Sequence, residues 1–154
     1  MNQIIIEENN FDRARKLINE NKEKKIIFSS DDDEINRKIL EKEKINMLLL
    51  NQSGRKDFQK QRNSGFNQVL AKLAKKNEVL IGINFDEIIK SEEREKAKIL
   101  ARVMQNIEIC KKNKVKMKFI TKNQKRNIHD LKSLGLVLGM PTWMTSDFAM
   151  PEKI

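Results

Sequence analysis

Lysine and arginine are the side chains of this sequence whose number and spacing most clearly indicate a binding site. A helix is predicted over residues 65–77, and at about 100° per residue one of its faces is entirely polar. That face is formed by Gln68, Lys72, Lys75 and Lys76, and the opposite face by Val69, Leu70, Leu73 and Ala74. An ordinary solvated lysine face usually includes glutamate for ion pairing, but no acid occurs here before Glu78. Ammonium groups without counter-charges attract phosphate, so the face predicts contact with a polyanion.

Further cations lie on both sides of this helix. The three groups are Arg55, Lys56, Lys60 and Arg62; Lys111, Lys112 and Lys114; and Lys122, Lys125 and Arg126. The last two groups follow the ends of predicted elements, so several of these cations could converge on one rim. Phe58 and Phe66 are the only aromatic residues close to them, which favours recognition of an RNA backbone and its shape over stacking on unpaired bases.

The net charge of +10 is concentrated in the middle of the chain. Residues 51–128 contain 20 Lys and Arg against 8 Asp and Glu, whereas residues 1–50 and 129–154 each carry a net charge of −1. A localised excess of this kind predicts a polyanionic partner, with nucleic acid the first choice and an anionic membrane surface the second.

Other kinds of reactive site are poorly supported. His129 is the only histidine and Cys110 the only cysteine, which argues against metal sites rich in histidine and against a nucleophile paired with histidine. We expect His129 to be an ordinary loop residue and Cys110 a small buried apolar residue. The acidic run 31–34 and the pair 92–93 are interpreted as helix starts, not as metal ligands. The chain has five glycines and no phosphate-binding loop.

Short apolar runs alternate with helical patterns along the chain. Strands are predicted at residues 4–6, 26–28, 47–50, 79–85, 115–121 and 136–140. Helices are predicted at 11–19, after the acidic run at 31–34, at 65–77, at 91–112 and at 131–134. We therefore predict one α/β domain over residues 1–154, with about six mostly parallel strands covered by helices. The pattern fits either an open doubly wound sheet or a barrel.

The polar, basic stretch from Asn51 to Ser64 breaks this rhythm. Loops of that length in compact domains are usually functional or disordered. One cysteine, an N-terminus without the pattern of a signal peptide, and no apolar run near the roughly 20 residues of a membrane span predict a soluble cytoplasmic protein without a membrane partner.

Several motifs, in order, resemble one family. The main one is Gly65-Phe-Asn-Gln-Val-Leu-Ala-Lys-Leu73 followed by Val79-Leu-Ile-Gly-Ile-Asn-Phe85. Supporting matches are Arg55-Lys56-Asp57 before it, Glu93-Arg94 with Leu100 and Met104 after it, and the closing run from Asp130 to Met140. Together they look like archaeal ribonuclease P protein component 3, a relative of the thirty-kilodalton subunit of the eukaryotic enzyme. The match covers residues 46–140, whereas residues 1–45 agree only in their alternation of strand and helix.

The resemblance implies a reduced TIM-barrel-like fold that need not close, because familiar members of the family are longer. It implies a protein subunit of ribonuclease P, the endoribonuclease that removes the 5′ leader from precursor tRNA. The implied partners are ribonuclease P RNA, ribonuclease P protein component 2 and, indirectly, precursor tRNA. Catalysis is expected from the RNA subunit with its Mg ions, and the protein chain itself is expected to bind no cofactor or metal and to contribute no catalytic residue.

Charge and resemblance together predict nine RNA-binding residues. They are Arg55, Lys56, Arg62, Gln68, Lys72, Lys75, Lys76, Lys112 and Arg126. Gln68 stands where many members of the family have histidine, and His129 stands where many have arginine, so these two contacts are expected to differ. Two alternatives stay open at this point: a stand-alone barrel hydrolase of phosphoesterase type, and a general RNA-binding protein associated with ribosomes.

Overall fold

A computed structural model describes residues 2–122, 126–146 and 148. Within them lie five strands and seven helices. The strands are β1 (Gln3–Glu7), β2 (Lys25–Ser29), β3 (Met47–Leu50), β4 (Leu80–Asn84) and β5 (Met117–Ile120). The helices are α1 (Phe11–Glu20), α2 (Asp33–Lys42), α3 (Gln68–Lys76), α4 (Phe85–Lys90), α5 (Glu93–Lys112), α6 (Ile128–Val137) and α7 (Thr142–Thr145).

The five strands form one parallel sheet in the order β1-β2-β3-β4-β5. Each strand thus pairs with the next one along the chain, and right-handed crossovers then place the connecting helices on one side of the sheet. A doubly wound sheet would reverse its strand order at a switch point. The consecutive order is that of a TIM-barrel-like fold, so the predicted α/β fold class is confirmed.

The two faces of the sheet are packed differently. The main core lies between the sheet and the helices, and includes Phe28, Leu48 and Ile81 from the strands. On the opposite face, Ile27, Met47 and Leu49 form a smaller buried cluster. This second cluster lies where the interior of a barrel would be.

An ion pair connects the first strand to the segment after the last one. Lys122 follows β5, and its Nζ contacts Oε1 of Glu7, the final residue of β1. The two edge strands therefore approach each other at their carboxyl ends, although no backbone ladder joins them among the described residues.

The predicted sixth strand, residues 136–140, is wrong. Asn127 caps α6, which continues to Val137, and Leu138 and Gly139 then form a turn in which Gly139 has φ +109°. A short apolar run does not distinguish a strand from a helix, and here Val137 is 80% exposed. Helices α4 and α7 were not predicted.

Two predicted helix faces also need correction. Val69 was assigned to the buried face of its helix but is 71% exposed, and the buried residues of α3 are Leu70, Ala71 and Ala74. In α5, helical spacing predicts one face with Ala97, Leu100, Ala101, Met104 and Ile107. Met104 is exposed, however, and the buried apolar residues are Ile99, Val103, Ile107 and Cys110. In both helices the buried face is shifted from the predicted one by about one residue.

Some predictions fall on residues outside the described ranges: Lys125 of the third basic group, and most of the tail after Ser146. None of the described helices is long and apolar enough to cross a membrane.

Candidate nucleic-acid interface

The predicted lysine face lies on α3, a helix with a well-defined start. Asn67 caps it, because its Oδ1 accepts a hydrogen bond from the backbone N–H of Leu70 (2.9 Å). Lys72, Lys75 and Lys76 are all exposed, as predicted, and Lys75 and Lys76 occupy the last turn, where cations complement the helix dipole. These three residues are called the α3 lysine face below.

Each end of α3 is attached to a neighbouring helix. At its start, Gln68 Oε1 accepts a hydrogen bond from Nδ2 of Asn113, the residue that ends α5 (2.5 Å). At its end, Asn77 donates from Nδ2 to the carbonyl oxygen of Leu40 in the last turn of α2 (2.9 Å). The first contact brings Lys112 beside Gln68. Five of the nine predicted residues therefore lie together: Gln68, Lys112 and the three of the α3 lysine face.

Residues 51–67, called the basic loop below, are held in place by Arg102 of α5. The Arg102 side chain is 1% exposed. It donates three hydrogen bonds into the loop: to Asp57 Oδ1 (3.0 Å), to the Gln52 carbonyl (2.8 Å) and to the Arg55 carbonyl (2.7 Å). The hydrogen bond from Arg102 lowers the pKa of Asp57, and the backbone N–H of Asn63 lowers it further. The loop is thus fixed on the helix by one buried guanidinium.

Amide side chains add to this attachment around Ser64. The Ser64 carbonyl accepts hydrogen bonds from Gln52 Nε2 (2.9 Å) and Asn106 Nδ2 (3.3 Å), and Gln105 donates to the Arg62 carbonyl (3.1 Å). Ser64 is buried and does not cap α3. The loop therefore runs along α5 from Arg102 to the region of Asn106.

At its beginning the basic loop also contacts Glu87 of α4. The Glu87 carboxylate accepts hydrogen bonds from the backbone N–H groups of Gln52 (2.8 Å) and Ser53 (3.2 Å). Burial raises the pKa of Glu87, although these two N–H groups oppose the shift. The loop is anchored from two helices.

Arg55 faces inward, unlike the other predicted cations. Its guanidinium pairs with Asp33 (both nitrogen–oxygen distances 2.9 Å) and donates from Nε to the Asn51 carbonyl (2.6 Å). The side chain is 11% exposed. Gly65, at φ +72°, leaves room for it, because a Cβ there would lie 2.5 Å from Arg55 Nη2. Arg55 shapes the loop, and the exposed loop cations are Lys56, Lys60 and Arg62.

The aromatic residues of the basic loop have different environments. Phe66 is buried in the main core, whereas Phe58 is 57% exposed. Only Phe58 of the two is available to stack on a base.

Arg126 lies apart from the other predicted residues. Its guanidinium is 5.6 Å from the ring centre of Phe85, at the start of α4. His129 is exposed in the first turn of α6, where it belongs to a helix and not to a loop. The structure thus separates Arg126 at the carboxyl edge of the sheet from the group around α3.

Histidine, cysteine and acidic side chains are spread over the described part of the chain. No group of three or more His, Cys, Asp or Glu side chains there is arranged to bind a metal ion. Cys110 is buried as predicted, and burial raises the pKa of its thiol.

Sequence reasoning missed Arg102, which donates three hydrogen bonds to the basic loop. A signal was present, because Arg102 falls between Ile99 and Val103 in the buried stripe of α5. A cation on the apolar face of a helix requires acceptors from another part of the chain.

The scaffold and its exposed lysines define a parallel βα protein with a basic surface, and a solved structure has the same fold. A chain of a cryo-EM structure of archaeal ribonuclease P with mature tRNA matches with a TM-score of 0.77 at 24% identity. The match covers 92% of this chain and 62% of that chain. At this identity the likeness concerns the fold.

Curated relatives resemble the sequence itself. Ribonuclease P protein component 3 of Methanococcus maripaludis strain C7 is 30% identical over 92 residues, which are 60% of this chain and 37% of that protein. The Methanococcus vannielii protein of the same name is 29% identical over 106 residues, 68% of this chain and 43% of its own length. The chain thus spans about two fifths of the length of these relatives. No protein-family profile matches the chain. The resemblance noted from the motifs is confirmed.

Proposed function

We propose that this chain is a noncatalytic, RNA-binding protein subunit of ribonuclease P, in the role of component 3. The observation that carries the proposal is the agreement of two independent likenesses, one in sequence to component 3 proteins and one in fold to a chain of an archaeal ribonuclease P. The enzyme removes the 5′ leader from precursor tRNA, and in our proposal its RNA subunit and bound Mg ions perform the cleavage.

The α3 lysine face and its neighbours suit this role physically. Folding of a catalytic RNA brings phosphates close together, and exposed ammonium groups lower the resulting repulsion while releasing condensed counterions. Lys72, Lys75, Lys76 and Lys112 form one group for this purpose, and Lys56 and Arg62 of the basic loop form a second. Gln68 adds a neutral hydrogen-bonding group, and Arg126 an outlying cation. Arg55 acts in this proposal by shaping the loop.

The proposed partners are ribonuclease P RNA and ribonuclease P protein component 2, with precursor tRNA contacted indirectly. We place the complex in the cytoplasm. The chain needs no cofactor of its own for this role, because the Mg ions belong to the RNA.

Purification of the tagged protein from its native cells tests the proposal. We expect ribonuclease P RNA and component 2 to co-purify, and the purified chain to increase leader removal when it is added to a reconstituted enzyme lacking component 3. Co-purification with ribosomes, without ribonuclease P RNA, would overturn the proposal.

A triple alanine variant of the α3 lysine face tests the assigned residues. Each lost phosphate contact should lower the slope of log K against log salt by about 0.7–0.9, so the variant should lose about 2–3. The matched control replaces the exposed cations Lys90, Arg94 and Lys98 by alanine, with the same change in charge. Equal slopes for the two variants would contradict the assignment.

A further inference from the structure

The amino end of the sheet gathers charge that is scattered in the sequence. In a parallel βα fold every helix returns to the next strand at that end, so four connections meet there: residues 21–25, 42–46, 75–79 and 111–116. Backbone hydrogen bonds join them in sequence, from Asn46 N–H to the Ile26 carbonyl (2.9 Å), from Leu80 to Asn46 (3.0 Å) and from Ile81 to Lys116 (3.1 Å). The four connections are therefore neighbours on one surface, called the amino-end surface below.

The amino-end surface is strongly basic. Its four connections contain eleven lysines and three glutamates. The carboxyl ends of the four helices that lead into it contribute about −0.5 charge each, roughly −2 together. The helix dipoles therefore do not balance the lysines, and a net charge of roughly +6 remains.

Half of this surface comes from a segment whose charges nearly cancel in the sequence. Residues 1–50 have a net charge of −1, but many of their acids lie at the opposite end, such as Asp12 in the first turn of α1 and Asp33 and Glu34 in that of α2. Five of the seven lysines of the same segment lie at the amino end, whereas Lys16 and Lys38 lie within α1 and α2. Folding therefore separates many of the acidic side chains of this segment from most of its lysines.

A cavity of about 810 Å³ marks the first half of the surface. Lys22, Lys25 and Lys44 line it, are exposed, and make no ion pair within the described residues. The cavity is also lined by Glu23, Glu43 and Glu78, of which Glu43 is paired with Arg15 (2.6 Å) and the other two are exposed. These three ammonium groups are free to meet an external anion.

The cavity is continuous with the α3 lysine face. The hydrogen bond from Asn77 to the Leu40 carbonyl joins the last turns of α3 and α2, so Lys75 and Lys76 lie beside the connection that carries Lys44. The four connections contain no aromatic residue. A continuous row of cations without stacking groups suits the phosphate backbone of structured RNA.

We infer that the RNA-binding surface extends from α3 across the amino end of the sheet, and that Lys22, Lys25 and Lys44 contact RNA phosphates. The inference rests on the proposed function for the identity of the RNA. It adds a second set of contacts from a part of the chain whose net charge gives no indication of them.

The test compares three charge-matched variants on one RNA. They are alanine triples at Lys22, Lys25 and Lys44, at the α3 lysine face, and at Lys90, Arg94 and Lys98 as control. The probe is ribonuclease P RNA of Methanococcus maripaludis, transcribed in vitro, and the readout is the slope of log K against log salt. We expect the first two triples to lower the slope by about 2–3 each and the control to lower it by less than one contact, about 0.7.

The outcomes separate the inference from the proposed function. If the triple at Lys22, Lys25 and Lys44 behaves like the control while the α3 triple lowers the slope, the inference fails and the proposed function stands. If the wild-type chain binds this RNA no better than a scrambled RNA of equal length, the proposed function fails. If the triple abolishes binding to phosphatidylserine vesicles but leaves RNA binding unchanged, the surface is a membrane contact and the inference is overturned. Unfolding in urea shows whether the alanine triple is still folded. A glutamine triple at the same positions, which removes the charge but keeps a long polar side chain, should give the same loss of slope.

Discussion

Arg102 satisfies three acceptors of one loop with a single guanidinium. Burying a cation costs several kcal/mol, and the cost is recovered only when hydrogen bonds replace its water. The acceptors here are a carboxylate and two carbonyls, all at distances of 2.7–3.0 Å. The hydrogen bonds of Arg102 therefore offset the cost of its desolvation and fix the conformation of the basic loop. Arg102 is a positioning residue for the cations of that loop.

Replacing Arg102 by Met should strongly destabilise the protein. The change keeps an unbranched apolar stem but leaves Asp57 and two carbonyls without their donor, at a cost of about 3 kcal/mol in free energy of unfolding. Urea unfolding measures this cost, and limited proteolysis should show faster cleavage within residues 51–67.

Arg94→Met is the matched control, because Arg94 is exposed near the start of the same helix. It should change the free energy of unfolding by less than about 0.5 kcal/mol. Equal stability of the two variants would mean that Arg102 does not hold the loop.

The pairing of Asp57 predicts a dependence of stability on pH. Its pKa is lowered from the usual 3.8, mainly by the hydrogen bond from Arg102. The carboxylate therefore stabilises the fold above pH 3.8, and this contribution is lost as the pH falls through the lowered pKa. Asp57→Asn should be less stable than wild type at neutral pH, and the difference should shrink in acid. Urea unfolding across about pH 3–7 measures it, with Glu108→Gln on the exposed side of α5 as control. A difference that stays constant with pH would contradict the pairing.

The sequence predicts the exposed cations well but not the buried one. Lys72, Lys75 and Lys76 follow from helical spacing alone, because exposure needs no partner. Arg102 depends on acceptors some 45 to 50 residues away, and periodicity contains no information about them. The same reason explains Arg55, whose inward direction is set by Asp33 of α2.

Helix α3 carries the lysine face, and its formation depends on a few identifiable contacts. It is nine residues long, begins at an asparagine cap and is attached at both ends to neighbouring helices. Helices this short are unstable in isolation, so cap and packing together determine whether the lysine face exists as a rigid row.

Asn67→Ala should remove the cap and cost about 1 kcal/mol of stability. Asn67→Asp keeps an oxygen acceptor for the Leu70 N–H and should retain most of it. For a domain of this size the loss corresponds to roughly 2–4 °C in Tm, which calorimetry resolves. Equal losses for both variants would indicate that the side-chain oxygen is not what matters.

Most element types were predictable, and most boundaries were not. Strands β1 to β5 appear as apolar runs, and β3 agrees at both ends, because buried parallel strands have few polar residues. Helix α3 begins at Gln68 and not at residue 65 as predicted, because the residues before it belong to the basic loop, where Ser64 accepts hydrogen bonds from Gln105 and Asn106 of α5. The false strand at 136–140 arose from an apolar run that forms the end of α6 and the turn after it.

In the molecule as a whole, packing on the sheet face opposite the helices depends on the absence of a side chain at Gly82. A Cβ on Gly82 would lie 2.8 Å from Met47 Sδ and 3.1 Å from Leu49 Cδ1, two residues of the smaller buried cluster on the face opposite the helices. Glycine in β4 thus leaves room for larger residues of the neighbouring strand. The choice between an open sheet and a barrel could not be made from the sequence, because both have the same alternation of strand and helix.

Gly82→Ala should lower the free energy of unfolding by about 1 kcal/mol through overpacking. In a Met47→Ala background the methyl group has space, so the loss should be smaller and the double-mutant cycle should give a coupling of at least about 0.5 kcal/mol. Urea unfolding of the four proteins measures it. Additive effects would show that Met47 is not the residue that Gly82 accommodates.

The parallel strand order also bears on how fast the chain can fold. No two paired strands are close in sequence: Ile4 pairs with Ile26, Leu48 with Ile81, and Ile81 with Met117. Each pair of strands can form only after a long crossover has been closed, at a cost in chain entropy. No local hairpin can form early to offset that cost. The ion pair between Glu7 and Lys122 joins the two edges of the sheet, so it can form only after the strands between them have paired. The chain should therefore fold slowly. Until folding is complete, its unpaired strand edges are exposed and can pair with strands of other molecules.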